Sequence, residues 1–223
     1  IFANAWNDIW LVAGTVFHFD GVQWTPTYNT GADVAYAIWS NGIGQTWFVG
    51  TNGTIVEYNE QQWRPYSSGT SSLVSNIWGA RGRILCVTTE SKLLSISGTS
   101  VADTLAWSGI PIRGIWFGDK TPIYVSGQGV WSDDGSGWKQ MNGLPDVFFT
   151  GMRGTGTNDL FVIGAYGTMA HYNGSTWYVY NQVANTAWDF QSIATTNDIV
   201  AAVGFEGIPI GGKAVAVIGT RTK

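Results

Sequence analysis

The sequence is poor in charge, nearly devoid of cysteine, low in proline and without a long apolar run. Only 12% of its 223 residues are Asp, Glu, Lys or Arg, against about 25% in an average globular chain. Asn, Gln, Ser, Thr and the backbone must therefore carry most of the polar surface. Eleven basic residues are scattered singly against 15 acidic ones, for a formal charge of −4, which argues against a nucleic-acid partner. No apolar stretch approaches the roughly 18 residues of a spanning helix, so membrane insertion is not expected. Cys86 stands alone, leaving no internal disulfide and no thiolate metal cluster. Its setting, Ile84-Leu85-Cys86-Val87, is that of a buried, inert thiol. The chain opens on Ile1 with no basic and apolar leader, as a trimmed segment would.

What is abundant is glycine and tryptophan, 30 and 13 residues. That many aromatics at low net charge excludes disorder, and the composition is not that of a helical bundle. Self-similarity is the stronger signal. A Thr is followed nine positions later by a Trp at Thr15 and Trp24, Thr54 and Trp63, and Thr168 and Trp177, and Gly129 and Trp138 keep the offset. A turn with an acid or amide first precedes each Trp: Asp20-Gly21, Asn59-Glu60, Asp134-Gly135 and Asn173-Gly174. Trp24 to Trp63 and Trp138 to Trp177 are both 39 residues apart, with Trp107 in a divergent copy between. Ile38-Trp39, Ile77-Trp78 and Ile115-Trp116 repeat at 39 and 38.

Within each period, short β-branched and aromatic runs such as Thr46-Trp47-Phe48-Val49 and Thr54-Ile55-Val56-Glu57-Tyr58 are bounded by Asn-Gly, Asp-Gly or Gly-Thr. That is hairpin chemistry, and Asn52-Gly53 suits a type I′ turn. The reading is an all-β six-bladed β-propeller with four antiparallel strands per blade, in one domain over 1–223. The blades fall at about 1–28, 33–66, 73–107, 112–141, 147–180 and 188–220, the last with strands near 189–194, 198–204, 207–210 and 214–220. Each takes about 37 residues, close to the ≈40–45 of a four-stranded blade. The Trp repeat is assigned to packing between blades, with Trp24, Trp63 and Trp177 expected to be largely buried. Gly50, Gly127, Gly164 and Gly204 are expected to let the next blade approach.

The Asp/Asn-Gly-x-x-Trp hairpins resemble the Asp-box, or BNR-type, repeat of sialidase-like, sortilin-type and photosystem II assembly-factor-like propellers. The resemblance covers four of the six units. The strict motif wants a Ser where Trp131 stands, so this chain departs from it. By this resemblance Asp20, Asn59, Asp134 and Asn173 fold their own hairpins.

Residues that suggest chemistry are few. His18 and His171 each lie six positions before a Trp, in a slot held elsewhere by Glu57 and Ser132. This reads as a blade-surface position rather than a metal site. Asp8, Asp159 and Asp198 follow Asn before a strand, which is turn chemistry first. Gly127-Gln128-Gly129 and Gly154-Thr155-Gly156 lack the context of a phosphate loop. No cofactor or metal is expected.

Breaks in the repeat are more informative. Aligned on its Ile, or on Met152, the slot after it reads Phe2, Trp39, Trp78, Trp116, Arg153 and Ala194. Arg153, with Ala194 beside it, is expected to open a notch near Trp188, Tyr166 and Phe205, the guanidinium facing a ligand. The competing reading is an internal ion pair, with Asp189 as the partner. The turns between second and third strands carry Asn52, Glu90, Lys92, Gln128, Tyr166, Phe205 and Glu206, and variable turns on a rigid scaffold are where binding tends to lie. The candidate ligand-binding set is Arg153, Trp188, Tyr166, Phe205, Gln128 and Asn52. The functional expectation is a non-catalytic binding propeller outside the cytoplasm, secreted or periplasmic, taking a protein, peptide or glycan. A carbohydrate-binding lectin is the alternative. A sialidase-like or lyase enzyme using Arg81, Arg113 and Arg153 is a third reading.

Overall fold

A computed structural model describes residues 1–80, 82–103, 110–119, 122–207 and 212–220. The chain forms two compact units, Ile1–Gly109 and Ile110–Lys223. Unit 1 holds three four-stranded antiparallel sheets. The first is β1 (Phe2–Ala5), β2 (Asp8–Val12), β3 (Thr15–Phe19) and β4 (Trp24–Asn29). The second is β5 (Ala35–Ser40), β6 (Thr46–Gly50), β7 (Ile55–Tyr58) and β8 (Trp63–Tyr66). The third is β9 (Val74–Ala80), β10 (Arg83–Thr88), β11 (Leu93–Ser97) and β12 (Ser100–Asp103).

Unit 2 continues with β13 (Ile112–Trp116), β14 (Ile123–Gly127), β15 (Gly129–Asp133) and β16 (Lys139–Gln140). The fifth sheet is β17 (Phe149–Gly156), β18 (Asp159–Gly164), β19 (Met169–Tyr172) and β20 (Trp177–Val179). The sixth is β21 (Trp188–Thr195), β22 (Ile199–Glu206) and β23 (Lys213–Thr220). Strand order follows the chain in every sheet; this is a six-bladed β-propeller. Trp107 and Arg81 lie outside the described residues.

The sixth sheet differs from its sequence reading. The strand expected at 207–210 falls on positions of which 208–210 lie outside the described residues. The segment expected as a fourth strand, β23, pairs directly with β22 in eight unbroken steps from Ile199↔Thr220 to Glu206↔Lys213. It therefore takes the third place, and the sheet has three strands among the described residues.

The recurrent glycines do something other than expected. Gly50 faces Ala35, Gly127 faces Ile112, Gly164 faces Phe149 and Gly204 faces Phe190, and the register slips by one residue next to each pair. A Cβ at these glycines would run into the carbonyl of Val34, Pro111, Phe148 or Asp189, each on the same sheet's first strand or just before it. They make room for a β-bulge within their own sheet, not for the next blade. Thr88 fills the place in the third sheet, opposite Val74 with the same slip.

Pairing confirms the alignment of the slot after the Ile. Phe2, Trp39, Trp78, Trp116, Arg153 and Ala194 lie opposite Trp10, Trp47, Leu85, Tyr124, Phe161 and Ala201. Buried Trp39 lies across Gly79 of the neighbouring sheet, and buried Trp116 lies near Gly154. Trp39 and Trp116 are thus wedges whose bulk is matched by a glycine of the neighbouring sheet.

Among the repeated outer tryptophans, Trp63 packs 4.7 Å from Tyr58, 5.0 Å from Tyr28 and 5.7 Å from Phe48. Trp24 is 45% exposed, so equivalent burial of all three does not hold. It covers Phe19 at 5.2 Å on the first sheet's outer strand. The turn acids and amides fold their hairpins. Asp20 accepts from the amides of Val22 and Gln23, Asn59 from Gln61 and Gln62, and Asn173 from Ser175 and Thr176.

Candidate functional site

The histidine slot is a repeated brace. His18 Nε2 lies 2.9 Å from Asp8 Oδ1 and its ring stacks on Trp10 at 4.3 Å. His171 Nε2 lies 2.9 Å from Asp159 Oδ1 and stacks on Phe161 at 4.3 Å, and Thr155 Oγ1 donates to the other Asp159 oxygen. In the second sheet Gln45 Nε2 donates to Glu57 Oε1 at 3.0 Å in the same place. The same pairing in two sheets of different units is a structural use of Asp and His. No group of three His, Cys, Asp or Glu side chains able to hold a metal occurs among the described residues.

Arg153 points into the protein framework. Its Nη1 donates to the carbonyl of Met152 at 2.8 Å and reaches that of Ile115, on the neighbouring sheet, at 3.5 Å. Burial lowers the guanidinium to about 10. Its register partner is Phe161, whereas the turn end of β17 is marked by Phe149 opposite Gly164. Four residues at about 3.3 Å each set Arg153 roughly 13 Å along the strand from that end. The expected notch joining Arg153 to Trp188, Tyr166 and Phe205 is therefore not formed, because strand register separates them.

The three aromatics do share one end of unit 2, and the backbone ties them there. Gly167 N donates to Trp188 O at 2.7 Å and Asn185 N to Tyr166 O at 3.1 Å. Ala165 bridges to Asp189, and Asp189 faces Phe205 across the ladder. Gln128 joins the same band by bridging to Phe148, whose carbonyl accepts from Ala165 N at 3.0 Å. Phe148 is exposed and was missed in the sequence because it stands before a strand rather than in a repeated turn. Trp188 packs edge-on against Phe190 at 6.4 Å, and its buried indole N–H has no hydrogen-bond partner among the described residues.

Tyr166 is the unusual member. The turns Thr51-Asn52-Gly53-Thr54 and Ala165-Tyr166-Gly167-Thr168 have the same geometry, with φ of 54° and 70° in one and 59° and 65° in the other. Both close with a 3.0–3.1 Å bond from the last amide to the first carbonyl. Asn tolerates this left-handed conformation, whereas a bulky side chain there is strained. Tyr166 occupies it with 57% of its surface exposed. In unit 1, Asn52 is used differently: its Nδ2 donates to Asp33 Oδ1 at 2.8 Å, and Thr54 Oγ1 donates to the other oxygen at 3.0 Å. That clasp ties the turn to the strand entering the sheet.

No family model and no curated protein matches this sequence. Solved structures do. YCF48 bound to D1 peptide aligns with 97% of this chain and 76% of its own at a TM-score of 0.73 and 18% identity. The likeness is one of fold. YCF48 from Cyanidioschyzon merolae gives 0.69 at 11% identity, over 95% of this chain and 78% of that one. A chain of the mitotic checkpoint complex gives 0.71 at 12%, over 90% and 69%.

Proposed function

We propose that this chain is a protein- or peptide-binding propeller working outside the cytoplasm as a single domain, with its partner seated on the turn end of unit 2. One observation carries the reading: Tyr166 holds a strained left-handed backbone in order to expose a phenol ring, where the matching turn of unit 1 uses Asn52. Strain kept at an exposed aromatic is the pattern of a site. Phe148, Trp188 and Phe205 supply apolar contact beside it, and Gln128 an amide. The proteins of like fold include one bound to a peptide and one in a multiprotein complex, which supports a protein partner. The low-charge, Asn- and Thr-rich surface supports an extracytoplasmic setting, and the Asx-closed hairpins support kinship with the Asp-box repeat.

A glycan partner is the second reading. A groove of about 450 Å³ is lined by Trp131, Gln128, Gln140 and Asn142, an aromatic with amides that suits a sugar. Peptide and glycan arrays probed with the wild-type protein and with a Tyr166→Asn/Phe205→Ala variant separate the two. Peptide signals that fall at least tenfold in the variant support the proposal; signals confined to glycans overturn it. Tyr166→Asn alone should raise stability by about 1 kcal/mol, the cost of the left-handed conformation for an ordinary side chain.

A further inference from the structure

The first two sheets are acidic almost throughout. All 11 Lys and Arg lie beyond position 63, whereas five of the 15 acids, Asp8, Asp20, Asp33, Glu57 and Glu60, precede it. Asp8, Asp20 and Glu60 stand at one end of unit 1, where the β1–β2, β3–β4, β5–β6 and β7–β8 turns lie. Among the described residues Asp20 and Glu60 form no ion pair, and Asp8 pairs with His18 alone. The amides of Gln23 and Val22 hold the Asp20 carboxyl below its ordinary value, so it is charged at neutral pH. The same end presents apolar side chains: Val22, Ile43 and Trp6 are 87, 85 and 77% exposed. The repeat has polar residues in their places elsewhere. Phe2 to Trp10, Trp39 to Trp47 and Arg153 to Phe161 each span eight residues, so Trp6 and Ile43 share a position with Thr157 of the fifth sheet. Val22, two residues before its Trp, corresponds to Gln61, Ser136 and Ser175.

These turns touch one another. A Cβ at Gly21 would stand 2.9 Å from Cζ3 of Trp6, one at Gly42 would stand 3.4 Å from Oδ1 of Asn4, and one at Gly44 would stand 2.8 Å from Cδ of Glu60. Asn4 Nδ2 donates to Ser40 Oγ at 2.9 Å and so ties β1 to β5. Each turn leans on the next, and the apolar tips and the carboxylates form one surface. A cleft of about 360 Å³ between the first and second sheets opens on it, lined by Asp8, Trp10, His18, Thr46, Tyr58 and Glu60. The Trp10 and Tyr58 rings stand 5.7 Å apart in its wall. Asp8 Oδ1 meets His18 Nε2 at 2.9 Å and Oδ2 accepts from Asn4 Nδ2 at 2.7 Å, which leaves a second lone pair on each oxygen. Aromatic walls with carboxylates at the rim suit a cationic side chain, whose alkyl stem lies on the rings while its charged end meets the acids.

We propose that this end of unit 1 docks a basic segment of a partner protein, with a Lys or Arg side chain entering the cleft between Asp8 and Glu60 and an adjoining apolar side chain resting on Trp6 and Ile43. Charge complementarity selects this occupant. Three carboxylates among exposed apolar tips repel an anionic lipid surface. They also repel the same face of a second copy, which a two-fold pair would bring together. The inference does not depend on the Tyr166 end.

The test selects random nine-residue peptides displayed on phage against the immobilised full chain, with the Glu60→Lys/Ile43→Ser protein for counter-selection. The recovered peptides should share a Lys or Arg beside an aliphatic or aromatic residue. The commonest of them, labelled with fluorescein, should bind the wild type one to one in an anisotropy titration. Glu60→Lys, Trp6→Ser/Ile43→Ser, and replacement of the peptide's basic residue by Gln should each weaken binding at least tenfold. Glu in the peptide's basic position should restore affinity for Glu60→Lys, a rescue that a misfolded variant would not give. Tyr166→Asn/Phe205→Ala should leave binding unchanged. Recovery of peptides without a basic residue, or equal affinity for Glu60→Lys, overturns the proposal. So does pelleting with phosphatidylcholine vesicles, or a dimer in sedimentation, that Trp6→Ser/Ile43→Ser abolishes, since a membrane or a second copy would then be the occupant.

Discussion

Adding one methyl group at Gly79 should reveal how the slot of wedge aromatics is built. The Cβ of Gly79→Ala would stand 2.6 and 2.8 Å from Cζ2 and Cζ3 of Trp39 and closer still to Cη2, well inside contact distance. Trp39 is buried, so the indole must tilt or the sheets must part, an overpacking cost of about 1–3 kcal/mol. Gly79 has no positive φ, so its backbone accepts alanine freely. Freed of the clash, Gly→Ala stabilises by about 0.4–1 kcal/mol by restricting the unfolded chain. The sign should therefore reverse with background: destabilising in the wild type, neutral to stabilising in Trp39→Leu. Urea unfolding followed by circular dichroism, at constant m, measures both steps. Each kcal/mol moves the melting temperature by about 2–4 °C for a chain of this size. Gly154 is the control. A Cβ there meets Trp116 at 3.1 Å but the Asp159 carbonyl at 2.6 Å, and backbone does not yield when Trp116 is trimmed. Equal costs of Gly79→Ala in both backgrounds, or no cost in either, would refute the wedge account.

Three further outcomes are expected. Burial raises Tyr124 to about 12, with Tyr172 adding to the effect. Between pH 10 and 12 the folded chain thus keeps a proton that the unfolded chain releases, and stability should fall as pH rises through that window. Tyr124→Phe should remove this component from a denaturation series in alkaline buffers. Cys86 is fully buried and its thiol is pushed well above the usual range. A disulfide reagent should leave the native protein unlabelled and titrate one thiol only after denaturation; rapid native labelling would show an opening of the third sheet. Arg153→Met should cost about 1.5–3 kcal/mol, the range for hydrogen bonds to a charged group, and leave partner affinity at the Tyr166 end unchanged. Lost affinity at constant melting temperature would return Arg153 to the site.

The strands and turns were legible because many turns carry Asn-Gly, Asp-Gly or Gly-Thr and the Trp spacing fixes the period. The alignment of Phe2, Trp39, Trp78, Trp116, Arg153 and Ala194 was legible too, since all six fall at one register position. What a letter does not show is which backbone approaches it. Gly50 and its equivalents read as close approach, and they are, but to a bulged carbonyl of their own sheet. Two partners of Arg153 are likewise carbonyls, those of Met152 and Ile115, which a search for acids does not find. Phe148 joins the candidate site through a bridge to Gln128 that no period encodes. In the last sheet, β23 sits one place further in than its position in the chain suggested, because pairing with β22 continues without a break.

The matching of Trp39 to Gly79 bears on whether the blades are interchangeable. The bulge and its glycine give most sheets a common internal register, so a sheet lifted from one position would fold at another. It would not fit. The residue after the wedge slot is Gly79 in the third sheet but Thr195 in the sixth, so exchanging those two would seat a β-branched side chain against the Trp39 indole. Common register makes the sheets copies of one unit, while the size pairs fix where each copy belongs, and recombination among the repeats is restrained by bulk rather than by hydrogen bonding.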